Sequence, residues 1–296
     1  MNGFVIIDKP RGITSFAMVA LVRRLSGVRR VGHAGTLDPL ATGVLPVAIG
    51  QAARFIEYTD GAPKTYRALV RFGVATETYD AEGAVTAEID ASGITADDVE
   101  AALPAFVGEI QQVPPAYSAI KVQGRPLYRY ARSGESVEVQ ARKVRIERVE
   151  LLSFGGGVAE IEVTCGKGTY IRSLAHDLGQ ALGVGGHLAA LQRTASGGFS
   201  LLDARTPPEL ESAAAAGAFE DLLLSPDRAV ERRPAAILAE AHADDVRHGR
   251  EVHFRADGAI DLVRAYSIGG DFLGVLKATS EAVWHPAKVL SSGNSA

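Results

Sequence analysis

The stretch that most constrains this chain covers residues 32–50 and has the sequence GHAGTLDPLATGVLPVAIG. It joins a loop rich in turn-forming residues to a short apolar run that is typical of a buried strand. Between residues 31 and 53 the only formal charge is that of Asp38, and His33 lies five residues before it. Because a lone carboxylate in apolar surroundings needs a partner or a role, the stretch predicts either a helix cap or a reactive centre.

The aspartate of this stretch has two interpretations. Asp38 precedes Pro39, which is typical of a helix N-cap followed by proline at the first helical position, and the local pattern alone favours that structural role. The string GHAGTLDPLATG also resembles the signature of the TruB family of tRNA pseudouridine synthases. The resemblance implies that Asp38 is the catalytic nucleophile and that His33 is a neighbouring residue that contacts the RNA.

Further strings resemble motifs of the same family and occur in the family order. They are DKP at residues 8–10, KTYRALVRFG at 64–73, PPAYSAIKVQG at 114–124, GKGTYIRSLAHDLG at 166–179 and HLAALQRTASGGF at 187–199. The resemblance places Lys9 near the active-site cleft as a candidate RNA contact. It makes Tyr66 the ring that stacks on the target base. Without it, the pattern favours a solvated turn lysine for Lys9 and a core aromatic for Tyr66.

The resemblance also assigns roles within the later motifs. Arg172 is implied to pair with both Asp38 and Asp80, although the local pattern around Asp80 equally suits a turn residue. Tyr170 is implied to pack beneath the base, with its hydroxyl placed for proton transfer. Leu191 is implied to form a wall of the uracil pocket.

The distribution of charge predicts a surface for the RNA backbone. The net charge of −4 alone argues weakly against a nucleic-acid partner, but it conceals an acidic segment between residues 72 and 120 that lacks lysine and arginine. Basic residues flank that segment and the central motif, and those after it alternate with tyrosines, which suits an RNA-facing element. The candidate contacts are Lys121, Arg125 and Arg129, together with Lys167 beside a predicted helix start where backbone amides could hold a phosphate.

The hydrophobic patterns predict an α+β protein. Residues 1–230 are assigned to a pseudouridine synthase catalytic domain, for which the family implies a large mixed, mainly antiparallel sheet. Residues 231–296 show short strands with turn signals and resemble a small β-barrel of the PUA type, an RNA-binding module, with the boundary between about 205 and 235. A helix starting at Thr14 or Ser15 is expected to bury Phe16, Val19, Ala20 and Leu25, and residues 207–233 are expected to be helical.

Several classes of protein are disfavoured. The single cysteine, Cys165, cannot form an intramolecular disulfide, the first residues lack a secretory leader, and no apolar run approaches the ~20 residues that span a bilayer. We therefore expect a cytoplasmic, monomeric protein without membrane contact. Paired-cysteine and HExxH motifs are absent and the glycines around Lys167 do not fit a P-loop, so neither a metal nor a nucleotide is expected.

The resemblance predicts an enzyme that flips out the T-loop uridine of tRNA, position 55, and isomerises it to pseudouridine. Reactant and product are isomers, so no cofactor is expected. A guide-RNA-dependent relative that shares the aspartate motif is the first alternative. An RNA-binding, tRNA-folding protein without essential catalysis is the second, and an RNA base exchanger is disfavoured because zinc-type cysteines are lacking.

Overall fold

The computed structural model describes residues 1–59, 61–118, 120–122, 124–133, 135, 137–256 and 258–290. Its strands are β1 (Gly3–Lys9), β2 (Val31–His33), β3 (Thr42–Ile49), β4 (Lys64–Phe72), β5 (Val74–Thr76), β6 (Val85–Glu88), β7 (Gly108–Gln112), β8 (Lys121–Val122), β9 (Arg125–Pro126), β10 (Arg142–Gly155), β11 (Val158–Cys165), β12 (Gly186–Ser196), β13 (Phe199–Ser200), β14 (Ala235–Leu238), β15 (Val252–His253), β16 (Leu262–Ser267), β17 (Phe272–Ser280) and β18 (Val283–Val289). Its α-helices are α1 (Ser15–Ser26), α2 (Ile56–Thr59), α3 (Ala96–Ala102), α4 (Leu127–Arg132), α5 (Ile171–Ala181), α6 (Pro207–Ala215) and α7 (Glu240–Arg247). Within these ranges, no helix has the length and apolar character needed to cross a bilayer.

The larger sheet has nine strands and confirms the predicted α+β class. Its main path runs β1-β3-β12-β4-β11-β10-β7, while β2 pairs with β3 and β13 with β12. All pairings are antiparallel except that of β3 with β12, which is parallel and joins Gln192 to Thr42 and Arg193 to Gly43. The sheet is therefore mixed and mainly antiparallel, and β12 connects its two halves.

The first helix begins and ends where the sequence predicts, but it buries a different face. The Thr14 side chain accepts a hydrogen bond from the amide of Ala17, and Gly27 ends α1 with a left-handed φ of 67°. The buried positions include Ser15 and Val19, whereas Phe16 is 72% exposed. The expected burial of Phe16 and Ala20 is wrong because Ser15 turns inward to bind the backbone of the central loop, which rotates the helix.

The hairpin of β10 and β11 matches the alternation of its sequence. Ile161, Val163 and Cys165 are buried, and the intervening side chains of β11 are partly exposed. Burial raises the pKa of the Cys165 thiol to about 11, which keeps it protonated and unreactive at neutral pH. By contrast, the predicted helix over residues 207–233 is wrong beyond Ala215, because short 3₁₀ turns at Phe219–Leu222 and Pro226–Val230 replace it.

The second sheet has five strands in the order β14-β16-β17-β18-β15 and curls into a half-barrel. Four of its strands fall where the turn signals predict them, while β14 and the polar helix α7 were not expected. Its core includes Trp284, whose indole lies parallel to the Phe254 ring at 5.0 Å between centroids and donates to the Phe254 carbonyl at 3.0 Å. The predicted turn residue Asp257 lies outside the described residues.

Candidate active site

The central loop places Asp38 in a turn and not at a helix start. A tight turn over Pro39 and Leu40 follows the aspartate, the Ala41 amide donates to the Asp38 carbonyl at 3.0 Å, and β3 begins at Thr42. The capping interpretation of Asp38 is therefore wrong, because the chain continues into a strand. The side chain of Asp38 keeps 45% of its surface exposed and is open to a substrate.

The loop is held from below by residues close to the start of the chain. Ser15 Oγ donates to the Leu37 carbonyl at 3.0 Å and accepts from the Leu37 amide at 2.8 Å. The Gly12 amide donates to the carbonyl of Pro39 at 2.8 Å. These contacts fix the backbone on both sides of Asp38, so the position of its carboxylate depends little on loop motion.

Lys9 lies beneath the same loop and is fully buried. Its Nζ donates to the carbonyls of Ile13 at 2.7 Å, Pro10 at 2.9 Å and Pro39 at 3.4 Å. Burial lowers the pKa of the amine to about 8, an effect that the charge of Asp38 partly opposes. The solvated turn lysine is wrong, since the amine is a cross-link inside the protein. Direct RNA contact by Lys9 stays a prediction, and its burial argues against it.

A buried arginine joins two carboxylates across the site. Arg172 Nη2 lies 2.9 Å from Asp38 Oδ2, and its Nη1 lies 3.4 Å from Asp80 Oδ2. The same guanidinium donates to the carbonyls of Thr78 at 3.2 Å and Tyr117 at 3.1 Å. Arg172 is thus held by several neighbours. Of its two carboxylate partners, only Asp38 is exposed.

Asp80 belongs to the interior of this arrangement. Only 8% of its side chain is exposed, and its Oδ1 accepts from Thr78 Oγ1 at 2.6 Å and from the Glu82 amide at 3.1 Å. Its carbonyl accepts from Thr76 Oγ1 at 2.7 Å. The turn interpretation and the partner interpretation therefore both describe Asp80, which closes a turn and holds Arg172.

The carboxylate of Asp38 opens into a pocket of about 590 Å³. Tyr66 on β4, Leu191 on β12 and Tyr170 at the start of α5 line it with Arg172 and Asp80. Burial raises the pKa of Tyr66 and of Tyr170, so both phenols stay protonated at neutral pH. Aromatic and apolar walls combined with charged groups held in fixed positions suit a polar planar heterocycle.

Arg193 also lines this pocket and was not among the predicted site residues. It is completely buried on β12 and donates from Nε to the Val44 carbonyl at 2.7 Å and from Nη2 to the Gly35 carbonyl at 3.1 Å. Its charge partly opposes the rise that burial causes in the pKa of Tyr66. Leu191 and Arg193 lie two residues apart on one strand and so share a face. That spacing was a signal in the sequence for a second pocket residue beyond Leu191.

Two further predicted contacts, His33 and Lys167, are not among the residues that line the pocket. His33 is on β2, where burial first and Arg193 second lower the pKa of its imidazole, which keeps the ring neutral. Lys167 is exposed in the turn before α5. The amide of Tyr170 at that helix start already donates to Gln112 Oε1 at 2.8 Å, which leaves less room for the expected phosphate.

The basic segment of the prediction forms β8, β9 and α4 near the pocket entrance, where Tyr117 and Tyr128 line the wall. Arg125 lies over the Tyr130 ring at 4.4 Å and pairs with Glu135 at 2.9 Å. Arg129 is exposed, and the side chain of Lys121 lies outside the described part of the chain. The RNA contacts of all three basic residues stay predictions.

Three family descriptions match consecutive parts of the chain. "TruB family pseudouridylate synthase (N terminal domain)" matches residues 23–171, "tRNA pseudouridylate synthase B C-terminal domain" matches 172–231 and "Pseudouridine synthase II TruB, C-terminal" matches 234–290. Among curated relatives, tRNA pseudouridine synthase B of Thiobacillus denitrificans is 47% identical over 278 residues, 94% of this chain and 92% of the relative. The protein of that name from Dehalococcoides mccartyi is 42% identical over 292 residues, 99% of this chain and 97% of the relative.

Solved structures give the same architecture. A Cbf5–Nop10–Gar1 complex contains a chain that superposes with a TM-score of 0.75 at 27% identity, over 97% of this chain and 84% of that one. A structure of an H/ACA RNP bound to a substrate RNA containing 2′-deoxyuridine superposes with a TM-score of 0.76. At 24% identity and coverage of 98% of this chain and 85% of that one, it supports the fold alone.

Proposed function

The chain belongs to the TruB family of pseudouridine synthases, isomerases that act on tRNA, and from that premise we propose that it converts the T-loop uridine, position 55 of tRNA, to pseudouridine. Asp38 is the nucleophile of the proposal. The observation that carries it is the 2.9 Å contact between Asp38 and Arg172 at the edge of an aromatic-walled pocket. The ionised carboxylate is the nucleophilic form, and the guanidinium holds one of its oxygens while the side chain stays open to a substrate.

The reaction is balanced without an added reactant. The bond from uracil N1 to ribose C1′ breaks, the base turns within the pocket, and a bond from C5 to C1′ forms. The C5 proton leaves to a base and N1 gains a proton, so reactant and product have the same composition. A carboxylate at the position of Asp38 serves attack on either C1′ or the uracil ring.

The surrounding residues have matching roles in the proposal. Tyr66 stacks on the uracil and Leu191 forms the opposite wall, so the detached base stays in the pocket while it turns. Tyr170 relays a proton through its hydroxyl group, because its side chain lines the pocket beside the uracil. Asp80 holds Arg172, and the neutral ring of His33 occupies the space that the flipped nucleotide leaves in the RNA.

The substrate is bound mainly by its backbone and loop shape. Flipping the uridine costs a few kcal/mol of stacking, which contacts to the T-arm offset. Arg125, Arg129, Lys121 and Lys167 are the proposed phosphate contacts of the catalytic domain, residues 1–230. The half-barrel domain, residues 231–296, binds a second part of the tRNA, and the protein acts as a cytoplasmic monomer.

The test is tritium release from tRNA transcript labelled at uracil C5, with purified protein and without added cofactor or metal. We expect release by the wild type and at least a ~10³-fold lower rate for Asp38→Asn, with tRNA affinity retained. Asp261→Asn is the matched control, because Asp261 also pairs with an arginine but lies 81% exposed in the second sheet. Equal rates for wild type and Asp38→Asn would refute the nucleophile assignment.

The likeness to Cbf5 supports a second candidate, a synthase that needs a guide RNA and partner proteins. The bare transcript separates the two functions, because a guide-dependent enzyme would bind it without releasing tritium. The position of the modified uridine, mapped in the product, tests the T-loop assignment independently of the rate.

A further inference from the structure

The loop that carries Asp80 contains an unusual backbone position. Tyr79 has a φ of 62°, and it is the only residue other than glycine with a positive φ in the described part of the chain. A left-handed φ costs a bulky residue roughly 1–2 kcal/mol, so the surrounding structure must offset it. Its ring lies flat on the imidazole of His176, with centroids 3.9 Å apart and planes at 13°.

The position has a geometric consequence for the neighbouring residue. Successive side chains of an extended segment point in opposite directions, whereas here both Tyr79 and Asp80 contact α5. Tyr79 stacks on His176, and Asp80 pairs with Arg172, which precedes His176 by four residues, or one helical turn. Two adjacent residues of the loop are therefore attached to two adjacent turns of the helix.

The other side of the loop is attached to β12. The Leu188 amide donates to the Tyr79 carbonyl, and the Ala81 amide donates to the Leu188 carbonyl, both at 3.0 Å. These backbone bonds fix the distance between the loop and the sheet. The orientation of the loop toward α5 then depends on the side chains of Tyr79 and Asp80. The Nδ1 atom of His176 is buried without a hydrogen-bond partner among the described residues, so no hydrogen bond through Nδ1 holds the ring in place of the stack.

We propose that the Tyr79–His176 stack positions Asp80 against Arg172 and thereby sets the direction of the Arg172 guanidinium toward Asp38. Tyr79 and His176 are positioning residues, since neither lines the pocket. The inference rests on the proposed function for its effect on catalysis. The proposal adds Tyr79 and His176 to that function. The two rings affect the rate of isomerisation through their stacking and not through acid–base chemistry.

Four substitutions separate stacking from strain. Tyr79→Gly keeps the left-handed backbone without strain but removes the ring, while Tyr79→Phe keeps the ring. His176→Ala removes the partner, and His176→Phe keeps a flat ring of similar size. Phe254→Leu is the matched control, because it breaks a parallel aromatic pair in the second sheet, remote from the pocket.

In the tritium-release assay we expect kcat to fall about tenfold in Tyr79→Gly and in His176→Ala, with KM unchanged, since one aromatic pair supplies at most about this much. The double variant should be no slower than either single variant. Tyr79→Phe, His176→Phe and Phe254→Leu should keep kcat within about threefold. An unchanged kcat in His176→Ala, or equal losses in the phenylalanine variants, would overturn the proposal.

Hydrogen exchange without RNA tests the stack independently of catalysis. The amides of residues 77, 79, 81 and 83 are hydrogen-bonded within or from this loop, and their exchange should accelerate about tenfold in Tyr79→Gly and His176→Ala and not in Tyr79→Phe. Faster exchange over the whole catalytic domain would show a purely structural role and overturn the proposal. A wild type that releases no tritium would refute the proposed function, and the exchange data would still decide whether the stack holds the loop.

Discussion

The interior around the pocket and the interior of the second sheet contain different kinds of side chain. Among the described residues, the formally charged side chains that are buried all lie around the pocket: Lys9, Asp80, Arg172 and Arg193. In residues 231–290 the only buried polar side chain of the described part is Ser267, and the core is made of apolar groups packed around Trp284.

The difference shows where this protein trades stability for geometry. Burying a charge is costly, and even a well-paired buried charge contributes little net stability compared with apolar packing of the same volume. The pocket region accepts that cost because charged groups have directional bonds that fix atoms such as Asp38 Oδ2. The core of the second sheet holds no reactive atom in place, and its apolar side chains contribute through packing alone.

The substitution Arg172→Ala gives the strongest test of the difference between the two interiors. We expect tritium release to fall by at least ~10³-fold and the free energy of unfolding to fall by about 3 kcal/mol, because Asp80 is left buried without its cation. Denaturant unfolding and the tRNA assay measure the two effects. Arg264 is the control, because this arginine of the second sheet lies over the Tyr266 ring at 5.7 Å. Arg264→Ala should change both the rate of tritium release and the free energy of unfolding only slightly. Comparable losses in both variants would remove the distinction.

The opposite test is Trp284→Ala. Removing a fully buried indole leaves a cavity, and we expect a loss of roughly 3–5 kcal/mol in the unfolding of the second sheet, measured by circular dichroism. At a temperature where the variant remains folded, kcat should match the wild type, because among the described residues those that line the pocket and those that form this core are separate sets. A kcat reduced as far as in Arg172→Ala would show that the two interiors are coupled.

Asp177 tests the cost of burying a charge directly, because its carboxylate forms no ion pair among the described residues. Burial raises the pKa of Asp177 from its usual 3.8 to about 6. Because the folded pKa lies above the unfolded one, stability is lost as the pH rises from about 4 to 6. Asp177→Asn should therefore gain roughly 1–2 kcal/mol above pH 6 and nothing below pH 4. A gain that is independent of pH would contradict this account.

The smallest effect is expected at the exposed basic segment. Replacing Arg125 and Arg129 with glutamine should weaken tRNA binding several-fold and reduce the slope of log K against log salt by up to about 2. Part of the effect is lost because Arg125 already pairs with Glu135 in the free protein. Fluorescence anisotropy over a salt series measures the slope, and an unchanged slope would exclude both arginines as phosphate contacts.

Sequence reasoning predicted the parts of the molecule that depend on local pattern or on a recognisable motif. The alternation of β11 and the cap at Thr14 were correct, since each depends on neighbours within a few residues. The burial of Phe16 was wrong because Ser15 binds Leu37, a partner 22 residues away. The contacts of Lys9 with Pro39, of Arg193 with Val44 and of Tyr79 with His176 likewise join residues far apart in the chain, so local pattern does not reveal them.

The central position of β12 has a consequence for synthesis. The strand that carries Leu191 and Arg193 separates β3, next to Asp38, from β4, which carries Tyr66. A ribosome must therefore add about 150 residues after the Asp38 loop before the strand that unites the two sides of the pocket exists. Until then β4 keeps its edge toward β12 unpaired and open to wrong partners, whereas β3 lacks only the pairing of Thr42 and Gly43. Translation pauses before β12 has left the ribosome would extend that exposed period, whereas later pauses would leave the joined sheet to fold first.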